Sequence, residues 1–104
     1  MKRGEVWWAA LELPAGRRPV VLVSRDDAYV IRQRITVAEV TTTIRFLPSE
    51  VSLGRTDGMP RPCVINTDSL LTIPKIWLQT KLVSLSAERL AELDEALAFS
   101  LGLA

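Results

Sequence analysis

The sequence predicts a mainly-β α+β fold, a small and strongly bent sheet or barrel closed by one amphipathic helix at its C-terminal end. Three observations carry this expectation. Several short runs rich in Val, Ile, Leu and Thr are separated by proline and glycine, the pattern of strands joined by irregular links. Only residues 86–102 show leucine at helical spacing. The chain has 104 residues and 48% hydrophobic content, enough for one packed core and too little for two, so it reads as a single domain over 1–104.

Each element follows in order. Glu5 to Leu13 is dense in aliphatic and aromatic residues and reads as a first strand. Pro14-Ala15-Gly16 has turn chemistry. Pro19 has no N–H to donate and fits the first position of a strand. Val20-Val21-Leu22-Val23 is apolar on both faces and reads as a buried central strand ended by Ser24. The polar stretch Arg25 to Arg34 has room for one short helical turn. Ile35 to Thr43 reads as a third strand extended by three threonines, with Thr41 and Thr43 on one face and Thr42 on the other. Pro48 breaks the pattern. Val51 to Leu53 is a short strand, Gly54 to Gly58 a loop, and Pro60 and Pro62 frame an irregular passage. Cys63 to Ile65 and Asp68 to Ile73 read as two further extended segments. A turn or short helix from Pro74 through Trp77 leads to a last strand at Lys81-Leu82-Val83. Ser86 suits a helix N-cap and Glu88 suits the positive end of the helix dipole. Leu90, Leu93, Leu97 and Leu101 form a stripe for core or dimer packing, and Gly102 ends the helix.

Composition excludes several chemistries. The sequence contains no histidine, which removes the usual general base and the commonest metal ligand, and a Ser-His-Asp triad with them. One cysteine, Cys63, allows neither an intrachain disulfide nor a cysteine-built metal site, and it reads as a small buried residue. There is no GxxxxGK[ST] loop, GxGxxG, HExxH or nucleophile elbow. The start, MKRGEVWWAAL, is basic, but Glu5 interrupts its short apolar stretch, so it does not read as a signal peptide. No run of about 18 apolar residues offers a membrane span, and a cytoplasmic protein is expected. The net charge is only +1, yet residues 1–45 carry eight cations against five anions, and residues 86–104 carry one against four. A basic front suits an anionic ligand, as it also suits plain solvated surface.

What remains for chemistry is arginine, hydroxyls and a few carboxylates. Arg17-Arg18-Pro19 places two cations where the second strand begins, at the mouth of a turn. A guanidinium stays protonated and presents a rigid fork of donors to phosphate oxygens, so Arg18 can stabilise the charge of a pentacoordinate phosphorus. By type alone it is also what any solvated strand end carries. The Thr41 hydroxyl at the end of a strand can donate to an oxyanion, and equally it can be a β-branched residue filling a strand. Arg45, just past the threonines, is within reach of a second phosphate or is a surface charge. Trp7 and Trp8 are adjacent, so one faces the core and the other is free for an interface or for stacking on a base. Asp68, after Asn66-Thr67, suits capping of nearby backbone.

Arg3-Gly4-Glu5-Val6-Trp7 followed by Arg18-Pro19-Val20-Val21-Leu22-Val23-Ser24 resembles the opening of the MazF/PemK family of toxin endoribonucleases. Val40-Thr41-Thr42-Thr43-Ile44-Arg45 with Leu47-Pro48-Ser49-Glu50-Val51 is similar to its second signature. Asp57-Gly58-Met59, Val64 to Leu70, Thr72 to Lys75 and the final Leu-Gly-Leu resemble the remainder, so the resemblance spans nearly the whole chain. It implies an SH3-like barrel with a C-terminal helix, acting as a homodimeric toxin of a type II toxin–antitoxin system. It implies cleavage of single-stranded RNA at short sequences, with no metal or cofactor, by attack of the ribose 2′-OH to leave a 2′,3′-cyclic phosphate and a 5′-OH. It further implies inhibition by a cognate antitoxin. On the family's motifs the catalytic residues are Arg18 and Thr41; Arg17, an extra cation beside the motif, Thr43 and Arg45 are expected to help hold the RNA. One departure is the short loop LPAGRRP, which lacks the polar residues many members carry before Arg-Pro.

Two other functions fit parts of the pattern. The gyrase poisons of the CcdB type share the implied fold but depend on a tryptophan near the C-terminus, and here none follows Trp77. A non-catalytic SH3-like binding module would keep the leucine packing but would not need Arg18 and Thr41.

Overall fold

In the computed structural model, which describes residues 1–104, the predicted strands join into one antiparallel sheet. The strands are β1 (Glu5–Ala10), β2 (Arg17–Leu22), β3 (Arg34–Thr41), β4 (Glu50–Leu53), β5 (Cys63–Pro74) and β6 (Leu78–Ser84), and the helices are α1 (Ala28–Ile31) and α2 (Ala87–Ser100). The spatial order is β4-β5-β3-β2-β1-β6. The mainly-β α+β architecture is therefore the one expected.

Alternation of side chains across the pleat divides the core in two. On one face Val6, Val21, Ala38, Val51 and Ile65 pack beneath Leu93 and Ala96 of α2. On the other, Ala9, Val20, Leu22, Ile35 and Val37 pack against Ala28 and Tyr29 of α1. The central β2 feeds both clusters, which is why its sequence is apolar without alternation. Val51 of β4 and Val6 of β1 lie in one cluster although three strands separate them, so the sheet is curled. The curl brings the turn after β4 onto β6: a Cβ added to Gly58 would lie 2.7 Å from Cγ1 of Val83.

Several boundaries differ from the sequence reading, each for a local reason. β1 stops at Ala10, because the N–H of Leu11 closes the turn onto the Gly16 carbonyl at 2.9 Å. β3 stops at Thr41, whose Oγ1 accepts the backbone N–H of Thr43 at 3.1 Å and turns the chain out of the sheet. Thr43 therefore does not share a strand face with Thr41. The two segments 63–65 and 68–73 are one strand, β5, carrying a bulge: its register against β3 jumps from Ala38↔Leu70 to Glu39↔Asn66. The polar residues that look like a break are the bulge itself. The buried Thr67 hydroxyl donates to the Ser49 carbonyl at 2.6 Å, and Asp68 Oδ2 accepts from Ser49 Oγ at 2.6 Å. β6 begins at Leu78, three residues before the expected start at Lys81.

α2 is capped as expected, with Ser86 Oγ accepting the Arg89 N–H at 3.2 Å. It ends in a Schellman arrangement around Gly102 at φ 71°, where Leu103 N–H donates to the Ala98 carbonyl and Gly102 N–H to that of Phe99. Leu93 is fully buried, and Leu90 and Leu97 border the same core. Leu101 lies past the last turn and is exposed, so the stripe is one leucine shorter than its spacing implied. Arg3 pairs with Asp94 at 2.8 Å, joining the basic front of the chain to its acidic tail. No helix is long and apolar enough to cross a membrane.

Candidate active site

The site arises where two neighbouring strands part. β2 and β3 pair through Val20↔Glu39, Val21↔Ala38 and Leu22↔Val37, and then the ladder stops. Beyond it β2 stays with β1, pairing Arg18 with Ala9, while β3 stays with β5, pairing Thr41 with Val64. Had the β2–β3 register continued, Arg18 would lie opposite Thr41. Instead the two residues border an opening between the strands. Pro19 lies just outside the ladder, so its missing N–H falls where β3 has already left.

The opening is a cleft of about 370 Å³ lined by both Arg18 and Thr41. Because the sheet is open there, residues from both faces reach it. Trp8, Arg17 and Val40 come from the α2 face, and Arg18 and Thr41 from the other. Three guanidiniums line the cleft, from Arg17, Arg18 and Arg61, and no carboxylate does. Arg17 lies over the Trp8 ring, 4.2 Å from its centroid, and its Nε donates to Gln79 Oε1 at 3.0 Å. This follows from register: Trp8 pairs with Pro19 and Ala10 with Arg17, so Trp8 and Arg17 are diagonal neighbours on one face.

The adjacent tryptophans thus take different roles. Trp7 packs on the α1 side, and its indole N–H donates to Glu5 Oε1 at 3.0 Å. Burial pushes the Glu5 carboxyl up, but Trp7, the Lys2 backbone and Lys81 outweigh that and hold it below the usual carboxylate range. Trp8 turns into the cleft. Cys63 also borders the cleft, buried at 4% exposure; burial first, and then the charge of Asp57, push its thiol up, away from the reactive thiolate.

Of the residues singled out in the sequence, Arg17, Arg18 and Thr41 come together in the cleft. Thr43 and Arg45 do not line it. They sit in the exposed loop beyond β3, where the Arg45 N–H donates to Glu50 Oε1 at 3.0 Å. Two residues near the cleft escaped the sequence reading. Arg61 stands between Pro60 and Pro62, which stiffen the backbone that presents it. Glu39 lies two residues before Thr41, and its Oε1 is 3.8 Å from Arg18 Nε. No three side chains of the metal-ligating types gather anywhere in the fold.

Comparison with known proteins identifies the family and the fold. The family model described as PemK-like, MazF-like toxin of type II toxin–antitoxin system matches residues 2–101. A relative from Mycobacterium tuberculosis named probable endoribonuclease MazF5 is 43% identical over 96 residues, covering 91% of this chain and 87% of its own. The solved structure of M. tuberculosis toxin MazF-mt6 superposes with a TM-score of 0.88 at 30% identity, over 96% of this chain and 98% of its own. A mycobacterial endoribonuclease solved in complex with its cognate antitoxin gives 0.88 at 27% identity, over 100% and 97%. The chain belongs to the PemK-like, MazF-like family of type II toxin–antitoxin toxins.

Proposed function

We propose that this toxin is an endoribonuclease that cuts single-stranded RNA at short sequence motifs in the open β2–β3 cleft, with Arg18 and Thr41 as its catalytic residues. The carrying observation is that these two side chains border one cleft where the ladder parts, with three guanidiniums and no carboxylate lining it. The ribose 2′-oxygen attacks the adjacent phosphorus as its proton passes to solvent water, and the P–O5′ bond breaks as the 5′-oxygen takes a proton back from water. The products are a 2′,3′-cyclic phosphate and a 5′-OH. Arg18 stabilises the phosphorane charge through its guanidinium. It serves there as an electrostatic group and not as a base, since a guanidinium offers only donors and no acceptor. The Thr41 hydroxyl hydrogen-bonds a phosphate oxygen. Arg17 and Arg61 hold flanking phosphates from the cleft, with Thr43 and Arg45 further along the strand of RNA. No step of this scheme requires a metal ion.

The chain acts as one domain over 1–104, in the cytoplasm, as a homodimer held in check by a cognate antitoxin. Val30 and Ile31 on α1 and Ile76 on the 3-10 turn after β5 (Lys75–Trp77) are 83%, 64% and 89% exposed. Lys75 Nζ ties that turn to α1 through the Tyr29 carbonyl at 2.8 Å, so the three form apolar surface available to a second copy. The mycobacterial relative solved with its antitoxin supports the inhibited state.

The test is cleavage of a long single-stranded RNA in EDTA by the wild type and by Arg18→Ala. The wild type is expected to cut, and Arg18→Ala to slow by about 100- to 1,000-fold, the loss typical for one preorganised charge-stabilising donor. RNA left intact by the wild type, or cut equally by both proteins, overturns the scheme. RNA bound but uncut would favour a non-catalytic module, and inhibition of gyrase supercoiling with RNA intact would favour a gyrase poison.

A further inference from the structure

We propose that Glu39 is a positioning residue for Arg18: anchored by Ser69, its carboxylate holds the Nε edge of the guanidinium and leaves the Nη groups free for the scissile phosphate. The inference rests on the reading of Arg18 given above.

The placement follows from sheet geometry. Glu39 is opposite Val20 at the last rung of the β2–β3 ladder, so it is the diagonal neighbour of Arg18 on the same face. Glu39 and Thr41 are two apart on β3 and also share that face until the strand ends. The Oε1 to Nε distance of 3.8 Å is an ion pair and not a hydrogen bond. The other oxygen, Oε2, accepts a hydrogen bond from Ser69 Oγ. Ser69 can reach it because it belongs to the β5 bulge, which opens where the register jumps between Ala38 and Glu39. The Glu39 side chain is 17% exposed and that of Arg18 37%, so the carboxylate sits behind the guanidinium while the guanidinium meets solvent. Arg18 makes no other ion pair or side-chain hydrogen bond, so Glu39 is the one polar partner that directs a long, rotamer-rich side chain. Holding it before RNA arrives removes reorganisation from the chemical step.

A counter-ion that merely neutralised Arg18 would act differently. Removing it would strengthen RNA binding and leave cleavage unchanged or faster. The experiment measures single-turnover cleavage of a single-stranded RNA, and affinity for the same sequence with 2′-O-methyl groups, which removes the attacking hydroxyl. The proteins are the wild type, Glu39→Gln, Ser69→Ala, Arg18→Lys and the double variant Arg18→Lys/Glu39→Gln. Glu39→Gln is expected to slow cleavage about tenfold, within the range of coupling between neighbouring residues, without weakening binding. Ser69→Ala should slow it in the same direction by less. With lysine at 18 there is no guanidinium edge to hold, so Glu39→Gln should then change the rate by less than about twofold. A readout independent of activity is the NMR signal of Arg18 Nε–H, whose chemical shift is expected to move in Glu39→Gln as the adjacent carboxylate charge is removed.

Wild-type rates in Glu39→Gln with Arg18→Lys slow overturn the inference, as does an Nε–H signal unchanged by Glu39→Gln. An equal effect of Glu39→Gln in both backgrounds also overturns it, because Glu39 would then not act through Arg18. Wild-type rates in Arg18→Lys overturn the reading of Arg18 itself, and Glu39 with it.

Discussion

Asp57 provides the sharpest stability test, because one carboxylate fastens the turn after β4 to helix α2. Its Oδ1 accepts Nε of Arg89 at 3.0 Å, and its Oδ2 accepts the Gly54 N–H at 2.9 Å. The Asp57 side chain is only 12% exposed. Asp57→Ala removes one short charge-assisted bond to Arg89, a second, long one from Arg89 Nη2 at 3.5 Å, and one backbone cap. These are together worth roughly 3 kcal/mol, and since Arg89 keeps its second partner, Glu92, the net loss should be about 2 kcal/mol. For a chain of this size that lowers the melting temperature by roughly 10 °C. The Arg89 guanidinium, with the Gly54 N–H, outweighs desolvation and holds the Asp57 carboxyl below its usual range. A depressed folded-state pKa means the contribution is fully present above the unfolded carboxyl value of about 3.9 and is lost as pH falls through the folded value. The melting-temperature gap between wild type and Asp57→Ala should therefore be constant from about pH 7 to pH 5 and shrink below about pH 4. Glu5, also held low, titrates in both proteins and cancels from the gap. Calorimetry at fixed protein concentration reads this directly. A gap under about 2 °C at neutral pH, or one undiminished near pH 2, would refute the ion-pair account.

Two further perturbations reach other parts of the molecule. Arg61→Ala should weaken binding of non-cleavable RNA and reduce the slope of log affinity against log salt by about 0.7, the value for one phosphate contact on a single strand. Fluorescence anisotropy across a salt series checks it, and an unchanged slope removes Arg61 from the RNA path. Gly4→Ala should cost about 2 kcal/mol in urea unfolding. Gly4 has φ +89°, which penalises a side chain by about 1–2 kcal/mol, and its added Cβ would meet Leu90 Cδ2 at 2.4 Å. A loss below about 0.5 kcal/mol would mean that the backbone there relaxes freely.

How much could be read from the sequence depended on the range of the interaction. The central strand, the threonine-ended third strand and the capped helix are local patterns, and they appear where periodicity puts them. β5 does not read as one strand, because Asn66-Thr67 looks like a break until Ser49 arrives from another element to bond Thr67 and Asp68. Thr43 was misread as strand because a hydroxyl–backbone bond two residues long ended β3 at Thr41. Arg18 and Thr41 were visible as residue types, and what the structure adds is the parted ladder between them. Once the rung Val20↔Glu39 is known, the rest follows by counting: two steps outward along both strands bring Arg18 level with Thr41. Glu39 remains on the rung itself, diagonal to Arg18. A glutamate in an apolar strand reads as an outward-facing surface residue when only alternation is considered. Its partner Ser69 is thirty residues away and comes within reach only because β5 bulges at that rung. The same irregularity that hid β5 from the sequence is therefore the one that supplies the anchor behind Arg18.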